Sequence, residues 1–165
     1  MVTKAESKVL VMEVRRMSDK GSGQYDVSAI RNDIVPVCER QPEIAAVFLF
    51  GSYGTCYETE FSDIDLGVLF FHDGVPDLKG ELKLTNLLCR ASGRDNIDMV
   101  VLNKAPLPLR YRIIADGQLL FDRNHVYTSD FLAITYKLFL DYNIDYQKFM
   151  DEYRHSLQEA YGSNG

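Results

Sequence analysis

The sequence predicts an α/β (α+β) domain, a small mixed β-sheet flanked by helices and closed by a long amphipathic helix. Three observations carry this reading. The apolar run Ile44–Phe50 ends on Gly51-Ser52, and ten residues after that serine a second run opens as Ser62-Asp63-Ile64-Asp65-Leu66. From there to about residue 125, strand-like and helix-like patterns alternate, as they do when helices cover a mixed sheet.

Taken in order, residues 1–24 read as an extension and linker. Lys8–Arg16 scores as a short helix or a strand, and Ser18–Gln24 has linker composition. Residues 25–125 form the main domain. From Val27 to about Arg40, Ile30, Ile34 and Val37 repeat with helical spacing behind Asp26 or Ser28 as a cap, and Pro42 then breaks the chain before the first strand. The second strand, Ile64 to Phe71, is ended by Asp73-Gly74 and Pro76. Leu82, Leu84, Leu87 and Leu88 then mark a helix from Leu78 to about Ala91, with Gly93 just past its end. Ile97–Leu102 is a third strand carrying Asp98. Pro106 and Pro108 lead into a short helix through Ala115, and Gly117–Phe121 reads as a last strand. Residues 126–165 form a C-terminal helical segment. In it Phe131, Ile134, Leu138, Tyr142, Tyr146, Phe149, Tyr153 and Leu157 recur every three or four positions, in one helix or two joined near Asn143.

Composition bounds the function. With 165 residues and 46% hydrophobic content, the chain has room for one core. Its 24 acidic and 18 basic residues give a net charge of -6, which disfavours free nucleic acid as a partner. Cys38, Cys56 and Cys89 are odd in number and lack metal-type spacing, so they read as reduced thiols. There is no apolar run of the roughly 20 residues a membrane span requires. The N-terminus, interrupted by Glu6 and Glu13, lacks the form of a signal peptide, so the expected location is the cytoplasm.

The chemistry sits at the two strand ends. A glycine turn leaving a strand frees backbone N–H groups for a phosphate. In a strand, residues two apart share a face, so Asp63 and Asp65 point the same way and can hold a divalent cation between them. Asp98, in Asn96-Ile-Asp-Met-Val-Val101, joins them if its strand is adjacent in the sheet. Two hard divalent ions held by such oxygens can activate an attacking hydroxyl and steady a leaving pyrophosphate. Each feature alone has a plainer explanation. Asp-x-Asp is common in an acidic chain, Gly-Ser is an ordinary turn, and a strand-end aspartate is usually solvated; the fixed spacing behind an apolar strand is what makes them informative together. His72, His125 and His155 have no partner spacing, nothing near Cys56 in sequence activates a thiol, and the acids Asp141, Asp145, Asp151 and Glu152 read as the solvated side of the last helix. The tyrosines of that helix read as core or interface.

The string GSYGTCYETEFSDIDLGV, with the later NIDMVVL, resembles the nucleotidyltransferase superfamily of DNA polymerase β and kanamycin nucleotidyltransferase. Within it, the chain is most similar to the minimal nucleotidyltransferases that act as antitoxins to HEPN-domain toxins, over roughly residues 28 to 125. The resemblance implies that Gly51 and Ser52 bind the triphosphate, that Asp63 and Asp65 bind metal, and that Asp98 is the third catalytic and metal-binding carboxylate. It implies Mg²⁺, with two ions, and ATP as nucleotide substrate. It further implies transfer of AMP to a tyrosine of a HEPN partner, with a small-molecule hydroxyl acceptor or neutralisation by contact alone as alternatives. Many relatives carry a basic residue and glycine where this chain has Thr55-Cys56; Arg110, Arg112, Lys104 and Arg94 are the cations that could replace it.

Overall fold

The computed structural model describes residues 27–53 and 62–161. The expected N-terminal extension and linker, the Asp26 cap, Thr55-Cys56 and the side chains of Asp151, Tyr153, His155 and Leu157 lie outside what is described. The elements run α1 (Ser28–Glu39), β1 (Ile44–Phe50), β2 (Ile64–Phe70), a 3₁₀ turn (His72–Gly74), α2 (Leu78–Ser92), β3 (Ile97–Val101), α3 (Leu107–Asp116), β4 (Gln118–Asp122) and α4 (His125–Tyr161). The strands form one mixed sheet in the order β3-β2-β1-β4. β1 runs antiparallel to both β2 and β4, while β2 and β3 are parallel.

Each face of the sheet carries its own helical layer. On one face Ile30, Ile34 and Cys38 of α1 and Leu84 and Leu88 of α2 pack on Val47, Leu49, Leu66, Val68 and Phe70. On the other, Ile113 and Ile114 of α3 and Leu132 of α4 pack on Ala46, Phe48 and Leu69. β1 is buried on both sides, which is why it reads as an unbroken apolar run. A register shift between Ile44 and Ala46 lets β1 present Ile44 and Val47 to the same face. Burial pushes the Cys38 thiol up to about 12, so this cysteine is an inert core residue.

Local chemistry sets the ends of the elements. Asp77 caps α2 by accepting the Gly80 N–H at 2.8 Å, and Gly93 ends it in the left-handed region at φ 64°. α1 has Val27, not Ser28, at its N-cap position, without a side-chain cap bond, and it continues through Pro36. β3 stops at Val101, one residue short of the expected end, yet pairing extends through a side chain. Asn103 Oδ1 accepts the Phe70 N–H and its Nδ2 donates to the Phe70 carbonyl, both at 3.0 Å, replacing the missing strand.

The C-terminal helix is single, with no break at Asn143. Its burial departs from the expected pattern. Thr128, Leu132, Ala133 and Thr135 are buried, and Tyr136 and Phe139 ring Tyr111 of α3, Phe139 stacking on it at 3.7 Å. The row Ile134, Leu138, Tyr142, Tyr146 and Phe149, expected as core or interface, is not core but exposed. Length explains this. A helix of 37 residues runs about 55 Å, whereas a seven-residue strand spans about 23 Å, so most of α4 has no sheet beneath it.

Replacing Ile113, fully buried between α3 and the sheet, with alanine is expected to cost about 2–5 kcal/mol in urea denaturation. Ile134→Ala, at a position 57% exposed, should stay within about 0.5 kcal/mol. Equal costs would refute the assignment of Ile134 to an exposed side of α4.

Candidate active site

Strand pairing assembles the site. Phe50 lies opposite Asp65 across the β1–β2 pair, and Asp65 lies beside Asp98 across the parallel β2–β3 pair. The end of β1 and the starts of β2 and β3 therefore share one edge of the sheet. Asp63 stands two residues before Asp65, on the same face by strand alternation. That face also holds Gly67 and Leu69, which meet α3 further along β2. The carboxylates thus emerge where the α3 layer ends.

Gly51 is fixed by two independent constraints. Its φ of 81° belongs to the left-handed region, and a Cβ built on it would fall 1.9 Å from Asp65 Oδ2. The Asp65 carboxylate fills the space that any side chain at position 51 would need. The turn and the Asp65 carboxylate are therefore in direct contact. Ser52 Oγ donates to Ser62 Oγ at 3.1 Å, joining the glycine turn to the approach to β2.

Asn96 aligns the other two strands. Its backbone carbonyl accepts the Ile64 N–H at 2.9 Å, and its side-chain Nδ2 donates to the Ser62 carbonyl at 2.8 Å. The start of β2 is thereby held beside β3, and with it the lateral position of Asp65 against Asp98. Burial, then the neighbouring charges of Asp98 and Asp63, raise the Asp65 carboxyl above the usual aspartate range. Asp63 and Asp98 are exposed, while Asp65 is half-buried.

The donor set is entirely hard oxygen, the chemistry a Mg²⁺-type ion takes, and the mutual repulsion felt at Asp65 is what such an ion would relieve. Among the described residues, no three acid, His or Cys side chains already form a closed cage around a metal position. His72 and His125 are exposed, and His125 pairs with Asp122 at 3.0 Å, away from this edge.

The four cations read from the sequence separate clearly. Lys104 pairs with Glu81 and the Pro76 carbonyl, and Arg110 donates to the Asn103 and Ala105 carbonyls while lying over Phe131. Arg112 is exposed on α3. Arg94 reaches the turn itself. Its guanidinium lies 5.2 Å over the ring of Tyr53, and Nη2 donates to the Tyr53 hydroxyl at 3.4 Å. Tyr53 and the bridging role of Asn96 escape a reading by motif. The sequence signal for Tyr53 was its place directly after Gly51-Ser52.

Because the folded protein holds the Asp65 proton more tightly than the unfolded chain, the stability from this group is fullest below the ordinary aspartate range. It is lost as pH rises through the raised value. Asp65→Asn should therefore raise the melting temperature of the metal-free protein at neutral pH, and the gain should shrink as pH falls toward about 4. Thermal melts in chelator across pH test this; a pH-independent difference would mean that the carboxylates do not sense one another. Gly51→Ala should cost about 1–3 kcal/mol through backbone strain alone, read by the same melts, before its contact with Asp65 is considered.

A family model described as polymerase beta, nucleotidyltransferase matches residues 32–126, more than half of the chain. No match to the sequence of a curated protein was found. Among solved structures, the chain is similar to a chain from a crystal structure of a toxin–antitoxin with AMP-PNP. The TM-score is 0.64 and the identity 23%, over 75% of this chain and 98% of that one. It is also similar to a chain from a tri-AMPylated Shewanella oneidensis HEPN toxin in complex with MNT antitoxin, with TM-score 0.61, 23% identity, and 77% and 98% covered. A toxin–antitoxin MntA–HepT crystal structure gives TM-score 0.60 and 22% identity, with 77% and 98% covered. At these identities the likeness is one of fold. The matched family span contains Gly51, Ser52 and all three aspartates of the shared sheet edge, and the chain belongs to the polymerase β nucleotidyltransferase family.

Proposed function

We propose that this chain is a Mg²⁺-dependent nucleotidyltransferase that transfers AMP from ATP to a tyrosine hydroxyl of a HEPN-domain toxin, and so acts as its antitoxin. The observation that carries the reading is the row in which the Gly51 turn touches Asp65 and Asp65 lies beside Asp98, with Asp63 on the same face. Structures of the same fold support the choice of nucleotide and acceptor: one is a toxin–antitoxin with AMP-PNP, and another contains a tri-AMPylated HEPN toxin with its MNT antitoxin.

In this reading Gly51 and Ser52 bind the triphosphate. The left-handed Gly51 turn carries the chain past the Asp65 carboxylate and would offer its backbone N–H groups to the phosphates. Asp63, Asp65 and Asp98 would hold Mg²⁺, which when bound offsets charge on the phosphates and lowers the cost of ionising the acceptor hydroxyl. The tyrosine oxygen forms a bond to the α-phosphorus while the bond from that phosphorus to the bridging oxygen breaks. AMP stays on the tyrosine and pyrophosphate leaves. Asp98, the more exposed member of the paired carboxylates, would take the tyrosine proton. The partner supplies the acceptor; Asn96 and the Ser52–Ser62 bridge keep the receiving edge aligned.

Intact-mass spectrometry of the purified chain with ATP, Mg²⁺ and a co-encoded HEPN protein tests the proposal. The partner should gain AMP, and Asp63→Asn/Asp65→Asn should abolish the gain. Protection of cells by that double variant would instead support neutralisation by contact, and no transfer to a partner that demonstrably binds would overturn the assignment of the acceptor.

A further inference from the structure

We propose that Arg94, held over the Tyr53 ring, is the side-chain cation that grips the phosphate chain of the bound nucleoside triphosphate; this rests on the nucleotide-binding reading of the same site. Electrostatics pose the problem. Three carboxylates share one sheet edge. A phosphate chain laid against the Gly51 turn enters that negative field, so divalent ions alone leave its outer phosphate charges to be met by a cation from the protein.

Arg94 has the position. It follows Gly93, whose left-handed turn ends α2, and precedes Asn96 and Asp98 on the same edge. Asn96 ties this segment to Ser62 and Ile64, and Arg94 itself bridges to Tyr53, two residues beyond Gly51. The guanidinium therefore rests on the last residue of the glycine turn, whose ring packs against the core on the α1 and α2 side of the sheet. It also has the capacity. Arg94 is exposed and, among the described residues, forms no ion pair; the aromatic ring beneath it fixes the plane of the fork without consuming its charge. Lys104 and Arg110, by contrast, are engaged by Glu81 and by backbone carbonyls. The planar fork suits two phosphate oxygens at once, which an ammonium does not.

The test compares the affinities of the full-length wild type and of Arg94→Ala and Arg94→Lys for a non-hydrolysable ATP analogue and for AMP, each with Mg²⁺, by calorimetry. Arg94→Ala should weaken the triphosphate analogue about tenfold or more while leaving AMP within about twofold, and lysine should restore only part of the loss. Thermal melts of each variant serve as the control for folding. Equal weakening of both ligands would overturn the proposal and make Arg94 a support for the Tyr53 turn; no weakening of either would also overturn it. A wild type that binds neither ligand would remove the nucleotide-binding reading itself, which keeps that failure distinct from a silent Arg94 substitution.

Discussion

The lateral register of three strands governs everything that follows in this molecule. Phe50, Asp65 and Asp98 stand in one row because β1 pairs antiparallel with β2 and β2 pairs parallel with β3 without slippage at that edge. Since side chains alternate every residue, a slip of one position in β2 would send Asp63 and Asp65 into the layer of α1 and α2 and bring Ile64 and Leu66 out. The hydrophobic core thus enforces the site: Ile64, Leu66, Val68 and Phe70 have a home on only one face, and their burial leaves the aspartates the other. Asn96 adds a polar check on the same register.

The layer on the aspartate face explains why the row is accessible. Gly67 lies two residues beyond Asp65 on that face, and a Cβ there would come within 2.6 Å of Ile113. α3 comes down tightly over a strand position that lacks a side chain, and its buried Ile113 and Ile114 meet Leu102 and Phe48. One end of the sheet is closed by this close approach and the other is left to polar groups. Two glycines with opposite surroundings therefore divide β1–β2 into a packed half and a carboxylate-bearing half, one accommodating an isoleucine and the other an aspartate.

Much of this was legible before any coordinates. The Ile44–Phe50 strand, the Gly51-Ser52 turn and the alternation around Asp63-Ile64-Asp65 obey local rules, so period and spacing reveal them. The adjacency of Asp98 depends on sheet order, which the parallel β2–β3 pairing supplies. What pattern could not supply was tertiary. The Arg94–Tyr53 contact spans 41 residues and joins two turns with no shared period. The exposed row of α4 has a different origin. Apolar residues at helical spacing say that a face wants company, but not whether this chain provides it, and here the sheet is too short to reach Tyr142 and Tyr146.

The far end of β1 is secured by different means. Arg123, just past β4, donates to the carbonyls of Cys38, Glu39, Gln41 and Ile44, gathering the last turn of α1 and the entry to β1 around one guanidinium. A positive charge also complements the carbonyl end of a helix. That charge is permanent in water, whereas the carboxylate row at the other end changes its repulsion with acidity. The central strand is thus hinged between an invariant knot and a responsive edge. Amide hydrogen exchange along β1 should grade accordingly, the opening free energy near Phe50 rising and falling with solution conditions while that near Ala45 stays constant.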